Sequence, residues 1–327
     1  MIERPTLHAL ALFLAVSKHG TMTAAAQAEQ ISQPAITAQI KALERYFGTQ
    51  LLERGGRGRY LTPSGRLVTD YGQRVLALVD ELSRAVADLE QLTTGQLVIG
   101  ASSTVGEQLL PAYLGRFHRE HPGVALEVKI GNTDEIIKRV LHRELDFAFV
   151  GRAPADPALI AEPVFADDII AFVAPGDPRL AHLPLCPSAL AGQQFVMREQ
   201  GSATRELAER CLRAAGCSPG HIIELGSNEA VKRAVEAGLG VGLLSTHAIE
   251  AERLAELLVD LPLDPWSCHR SFWLIIRDDR TLTRAEQTFL ALIRPKPRPD
   301  VWSLHTREEA EITRPRGATA HPPARLG

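Results

Sequence analysis

Two short stretches place hydroxyl groups where a small anion could be held. Ser102, Ser103 and Thr104 follow a strand-like run ending at Ala101, and Gly201, Ser202, Ala203 and Thr204 follow one ending near Glu199. Each stretch leads into a helix-forming segment. At the carboxyl ends of strands in an open α/β sheet, helix N-termini offer free N–H groups, and hydroxyls beside them can hold a carboxylate or phosphate. Arg198 adds charge beside the second stretch, and Asn132 and Asn228, each just past a further strand, are additional candidates for the same cleft. Any one of these Ser or Thr residues has an alternative role as an ordinary helix N-cap. Their paired placement favours a small-molecule ligand of anionic class, with no cofactor and no metal expected.

A second set of residues suits a polyanion. On a predicted helix with the apolar stripe Ile36, Ile40, Leu43 and Phe47, Gln33, Ala35, Thr37, Ala38 and Lys41 point elsewhere than the stripe, and with Pro34 at the first turn, Gln33, Ala35, Thr37 and Lys41 are the candidate DNA contacts. Beyond it, Arg54, Arg57 and Arg59 surround the glycine-rich tip of two strand-like pieces. If the helix enters a major groove, Gln33 and Thr37 near its N-terminus reach base edges, Lys41 and the tip arginines reach phosphate or the minor groove, and Pro34 is structural. A capping Gln and a solvated basic loop are the alternatives. Residues 1–62 hold seven Lys or Arg against four Asp or Glu, a net +3, so the rest of the chain carries −6 of the overall −3. The surplus positive charge lies where a nucleic acid would be bound.

Specific elements must position these groups. Residues 6–18 read as a helix closed by Gly20, a second begins after Thr21, and Ser32 with Pro34 opens the third, giving helix, turn, helix. From Pro63 to Leu92 a single long helix carries Leu67, Tyr71, Val75, Leu78, Leu82, Leu89 and Leu92 on one stripe, which needs a partner helix and so predicts a dimer. Thr93, Thr94 and Gly95 break it. Strands then alternate with helices in two βαβ-type sets that would form two lobes around one cleft. The expected division is a winged helix-turn-helix over 1–62, a linker and dimerisation helix over 63–92, and an effector domain over 93–295. Within that domain lobe I takes about 96–166 and 268–295, and lobe II about 167–267. The tail, 296–327, is rich in Pro, Arg, Ala and Thr, which predicts disorder.

Composition excludes several classes. At 327 residues, 45% hydrophobic and 23% charged, the chain is a multi-domain globular protein. No apolar run reaches the roughly 18 residues of a membrane span, and the N-terminus lacks the parts of an export signal, which predicts a cytoplasmic protein. Four scattered cysteines without CxxC predict no disulfide framework. No nucleophile elbow, phosphate loop, zinc motif or dinucleotide fingerprint is present, so no enzyme is expected. His118 and His121 read as surface residues.

The run GTMTAAAQAEQISQPAITAQIKALERYFGTQLLERGGRGRYLTPSG resembles the winged helix-turn-helix of LysR-type transcriptional regulators, and the resemblance continues to about residue 295. It implies an α/β chain with an all-α winged helix-turn-helix at its N-terminus, a long linker helix, and a two-lobed Rossmann-like domain of periplasmic-binding-protein type. It also implies duplex DNA as partner, self-association into dimers and tetramers, and contact with RNA polymerase. The cleft residues match positions the family uses for its effector. MREQGSATR and IGNTDEI resemble the subset that includes regulators of carbon fixation and sulfur assimilation, whose effectors are small anions or phosphorylated metabolites. Leu52 stands where many members carry Phe, and can fill the same apolar space. Two rivals follow from the same features. A solute-binding protein would need an export signal. A thiol sensor would draw on Cys211 and Cys217, yet Val196 stands where its reactive cysteine is expected, and Cys211 reads as a core residue.

Overall fold

The computed structural model describes residues 4–55, 58–88 and 95–294. Three helices open the chain: α1 (Leu7–His19), α2 (Met22–Ala28) and α3 (Gln33–Phe47). Each starts on a hydroxyl cap. Thr6 accepts from the Ala9 N–H at 3.1 Å, Thr21 from Ala24 at 3.1 Å and Ser32 from Ala35 at 3.4 Å. Gly20 and Gly48 end α1 and α3 at φ of 74° and 67°, a left-handed conformation that costs glycine nothing. Leu12, Phe13, Val16, Ala25, Ile36, Ile40 and Leu43 form the core, closed by Leu51 and Leu52, so Leu52 does occupy the apolar space expected of it. Phe47 departs from its predicted place. It is 42% exposed and lines an apolar groove with Leu7, Leu10, Leu67 and Tyr71, because at the last turn of α3 the three-helix core has already ended.

The strands β1 (Leu52–Gly55) and β2 (Gly58–Leu61) form the antiparallel wing, with Leu52 opposite Leu61 and Arg54 opposite Arg59. Glu44 Oε1 accepts from the N–H groups of Leu51 (3.0 Å) and Leu52 (3.4 Å), tying α3 to the wing. Helix α4 (Pro63–Asp88) follows directly. Its apolar stripe, Leu67, Tyr71, Val75, Leu78, Leu82 and Val86, is exposed along the chain, as a helix that pairs with another copy requires. Leu89, Leu92 and the tail over 296–327 lie outside the described residues.

The remainder is one nine-stranded sheet with helices on both faces, ordered β4-β3-β5-β11-β6-β9-β7-β8, with β10 on β6. Lobe I comprises β3 (Gly95–Ser102), a π turn at Val105–Leu109 that runs into α5 (Leu110–Glu120), β4 (Val124–Gly131), α6 (Thr133–Leu141) and β5 (Phe147–Val150). Its strands β3, β4 and β5 are parallel. Then β6 (Leu159–Val173) crosses into lobe II. There β7 (Gln194–Arg198), α7 (Ala203–Ala214), β8 (His221–Leu225), α8 (Asn228–Glu236), β9 (Val241–Ser245), α9 (Thr246–Leu254) and β10 (Val259–Asp260) follow. Strand β11 (His269–Arg277) returns the chain to lobe I, where α10 (Arg284–Ile293) packs on α5. Each lobe has an apolar cluster on either side of its part of the sheet.

The predicted lobe boundary at 166/167 falls inside β6, one continuous strand of 15 residues that crosses from lobe I to lobe II. Helix α9, which buries Ala248 and Ile249, was not anticipated. Cys211 on α7 and Cys268, one residue before β11, form a disulfide with Cα atoms 5.8 Å apart, where the sequence suggests no disulfide framework; Cys211 does pack against the lobe II core, as expected of it. The two are 57 residues apart, and only the fold brings them together. Cys217 is buried and free, and Val196 lies in the lobe II core. Among the described residues, no helix is long and apolar enough to cross a membrane.

Gly65, in the first turn of α4, has no room for a side chain: a Cβ there would sit 2.1 Å from the Leu51 carbonyl oxygen. Gly65→Ala is therefore expected to destabilise the N-terminal module by about 1–3 kcal/mol through forced displacement of the wing. Differential scanning calorimetry would show a lowered N-terminal transition with the two-lobed transition unmoved.

Candidate functional site

The structure places two separate groups of the predicted site residues together. On α3, Gln33, Pro34, Ala35 and Lys41 are exposed and Thr37 is half-buried, whereas Ile36, Ile40 and Leu43 are buried. The Thr37 hydroxyl donates to the Gln33 carbonyl at 2.9 Å, which leaves its oxygen and methyl facing outward. Ser32 takes the capping role, so the Gln33 amide is not needed as a cap. Arg54 and Arg59 lie opposite each other in the wing backbone, while Arg57 lies outside the described residues. The exposed surface of the N-terminal half of α3 is thus small and polar, with Lys41 just beyond it and no large apolar side chain exposed, which is what a groove-reading helix presents.

The second group meets between the lobes. Ser102, Ser103, Thr104, Asn132, Thr133 and Gly151 from lobe I meet Arg198, Ser202, Ala203 and Thr204 from lobe II, with Arg270 and Phe272 of β11, around a nearly closed polar cleft of about 10 Å³, room for about one water. Neither Thr104 nor Ser202 uses its side chain to cap the helix it precedes. That weakens the capping alternative for those two hydroxyls. Asn132 does cap, in a reciprocal box with Glu135 on α6, and also hydrogen-bonds Glu199. Gly201, at φ of 85°, turns the chain so that its carbonyl accepts from the Asp134 N–H of the other lobe at 3.2 Å.

Buried polar contacts close the cleft. Arg198, only 3% exposed, donates to both Glu199 carboxylate oxygens at 2.8 and 2.9 Å, to Asn228 Oδ1 at 2.7 Å and, across the lobes, to Ser103 Oγ at 3.2 Å. Asn228 Nδ2 reaches Thr104 Oγ1 at 3.4 Å and Glu107 Oε2 at 3.3 Å. Arg152 pairs with Asp134 and with Glu206 of lobe II. Burial raises the Glu199 carboxyl, but its bonds to Arg198, to its own backbone N–H and to Asn132 outweigh this and hold it below the usual carboxylate range. Arg205 supports the arrangement from beneath by donating to the Arg198 carbonyl at 2.7 Å.

Sequence reasoning missed Arg270 and Phe272, which line this site, and the Asp167 that partners Arg270. Arg270 pairs with Asp167 at 2.7 Å and stacks over Phe272 with its guanidinium carbon 4.4 Å from the ring centroid. Burial pulls the Arg270 pKa down, Asp167 opposes that, and the nearby charge of Arg198 adds to the depression. The signal was present, because an arginine two positions from Phe272 in an apolar strand shares that residue's inward face.

Family models match almost the whole described chain. Residues 7–66 fit the bacterial regulatory helix-turn-helix of the lysR family, and residues 90–298 fit the LysR substrate binding domain. The HTH-type transcriptional regulator CbbR of Rhodospirillum rubrum is 32% identical over 89% of this chain and 97% of its own length. The regulatory domain of Synechocystis CcmR in complex with 2-PG is 27% identical, covering 61% of this chain and 96% of that one, with a TM-score of 0.58. A full-length CbnR bound to its target DNA shares the fold at a TM-score of 0.66 and 21% identity, over 88% of this chain and 98% of that one.

The cross-lobe bridge generates a direct test. Asn228→Leu keeps the volume but leaves the Arg198 guanidinium short of an acceptor, so lobe packing should weaken by about 1–3 kcal/mol. Hydrogen exchange should rise in residues 102–107 and 198–204 and stay constant in α1 to α3; unchanged protection in the cleft would show that the bridge contributes nothing.

Proposed function

The chain belongs to the LysR family of bacterial transcription regulators, and from that premise we propose that it reads promoter DNA with α3 and the wing under control of a small anion held between its lobes. The observation that carries this reading is the ring of buried cross-lobe contacts around a cleft lined by hydroxyls and guanidinium groups. A ligand that touches both sides of such a cleft favours the closed arrangement by its difference in affinity for the two, which is the only way a ligand can shift a conformational equilibrium.

Gln33 and Thr37 read base edges, and Lys41, Arg54, Arg57 and Arg59 neutralise phosphates. Residues 1–62 act as the reader, 63–92 as the pairing helix and 93–295 as the sensor. The exposed stripe of α4 together with the apolar groove it shares with α1 pairs two copies, and two pairs form the tetramer that spans separate DNA sites and meets RNA polymerase. Ser102, Ser103, Thr104, Asn132, Arg198, Gly201, Ser202, Thr204 and Asn228 line or brace the effector cleft. The kinship to CbbR and to a regulator solved with 2-PG supports a small acidic metabolite as effector and the cytoplasm as its place of action.

Fluorescence anisotropy with promoter fragments from the source genome tests the DNA reading. Gln33→Ala should cost about 1–3 kcal/mol on the specific site and nothing on random duplex, and Lys41→Ala should weaken both and lower the salt slope by about one. A parent chain without salt-sensitive affinity would sink the reading. Thr204→Ala should leave operator affinity intact and blunt the response to 2-PG and related phosphorylated acids, measured by footprinting with and without ligand.

A further inference from the structure

The two arginines of the cleft are not equivalent. Every nitrogen of Arg198 has an acceptor: Nε and Nη2 serve Glu199, Nη1 serves Asn228, and Nη2 also reaches Ser103. These bonds brace lobe II against lobe I and leave little for a ligand. Arg270 differs. Its Nε is taken by Asp167, yet its Nη2 is buried without a hydrogen-bond partner, and the side chain is 6% exposed. Ser102 Oγ, at the end of β3 in a residue 6% exposed, is also buried and unpartnered. Among the residues lining the cleft, these are the two described side-chain atoms that are both buried and unsatisfied. A buried donor left without an acceptor costs about 1–3 kcal/mol, so such atoms are uncommon and mark places where something else completes the bonding.

The closed cleft has room for about one water, so an anion enters only as the lobes part, and what the surroundings supply is charge and a position, 151, without a side chain. Gly151 faces the guanidinium, and a Cβ at that position would lie 3.0 Å from Arg270 Nη1 and 2.8 Å from the Ala203 Cβ. Asp167, the counter-charge of Arg270, is itself occupied by the Ser245 hydroxyl at 2.6 Å. The positive charge of Arg198 acts on Arg270, and an added anion would relieve that repulsion. Arg270 and Asp167 also face each other in register on β11 and β6, the two strands that cross between the lobes.

Resting on the proposed effector cleft, we infer that Arg270 Nη2 and Ser102 Oγ form the anchor for the effector's oxyanion, of phosphate or sulfate type, and that Arg198 is a strut that positions the lobes. Ligand charge is thereby bound at the hinge strands rather than at a lobe tip.

The test is a thermal-shift and calorimetric titration of the full chain with inorganic phosphate and inorganic sulfate, at constant ionic strength set with chloride. Saturable binding is expected for the parent. Ser102→Ala removes only an unpartnered hydroxyl, so it should keep the parental melting temperature without ligand and bind both anions about tenfold more weakly. Arg270→Lys should weaken binding at least as much, since an ammonium cannot keep the Asp167 bond and offer the second nitrogen. Arg198→Lys should lower the melting temperature without ligand yet retain the anion-induced shift. Parental anion affinity in Ser102→Ala and Arg270→Lys, with loss confined to Thr204→Ala or Arg198→Lys, would overturn the anchor while leaving the cleft reading standing. No saturable binding to the parent would overturn both.

Discussion

The antiparallel pairing of β6 with β11 is the constraint on which the effector domain depends. These two strands run through both lobes, pairing from His269 opposite Asp168 to Arg277 opposite Leu159. Lobe I adds β5 to one side of the pair and lobe II adds β9 to the other. Where the chain leaves one lobe for the other, the pair carries a buried ion pair, Arg270 with Asp167. Two charges removed from water repay their desolvation only with close geometry and further hydrogen bonds. Here Ser245 supplies one to the carboxylate and Phe272 supplies a ring face to the cation. Such a pair adds little net stability compared with apolar residues of the same size. What it does provide is a second fixed guanidinium, beside Arg198, in a cleft otherwise lined by neutral groups.

The parts of the molecule that local chemistry determines were legible in the sequence. Thr21 and Ser32 cap helices where they stand, and Ile36, Ile40 and Leu43 are buried because they share a face of α3. Ser102 to Thr104 and Gly201 to Thr204 converge because the ends of parallel strands in each lobe point to the same cleft. What was not legible depends on residues far apart in the chain. Arg270 and Asp167 are 103 residues apart, and no periodicity links an arginine near the start of one strand to an aspartate within another. Arg198 shows the opposite case: its presence in the cleft was read correctly, while its bonding to Glu199, Asn228 and Ser103 gives it the work of a brace.

The other end of β11 extends the same logic toward the DNA-binding module. Arg277 closes the strand and donates to Glu81 of α4 at 2.9 Å, and Arg280, three residues on, reaches the same carboxylate at 3.1 Å. Arg280 also holds Asp146 and Glu286, so Glu81 enters a socket already organised by lobe I. Arg143 lies 3.7 Å from Glu81, and His142 lies 3.5 Å from Asp70 one face along α4. Most of these groups are buried or nearly so, which makes the joint stiffer than an exposed pair of the same geometry. One extended strand of about 25–30 Å thus has the cleft at its first residues and the linker helix at its last.

That arrangement limits how a ligand can act on DNA. The ion pairs described between α4 and the sensor all go to lobe I, through Arg143, Arg277 and Arg280, and the polar contact of Asp70 with His142 does so too. A winged helix-turn-helix carried on α4 therefore follows lobe I, and closure of the cleft moves lobe II relative to both. Within one chain such a movement leaves the reading helix where it was. It changes the placement of DNA-binding modules only when lobe II touches another copy, so that the rotation of one lobe becomes a shift between chains. On the function proposed above, anion control is a property of the assembly: the ligand would set the angle between lobes, and neighbouring copies would convert that angle into the spacing of the sites they hold. Affinity of a single reader for its half-site is then free to stay constant while the bend and spacing of the DNA change, because the two quantities rest on different contacts.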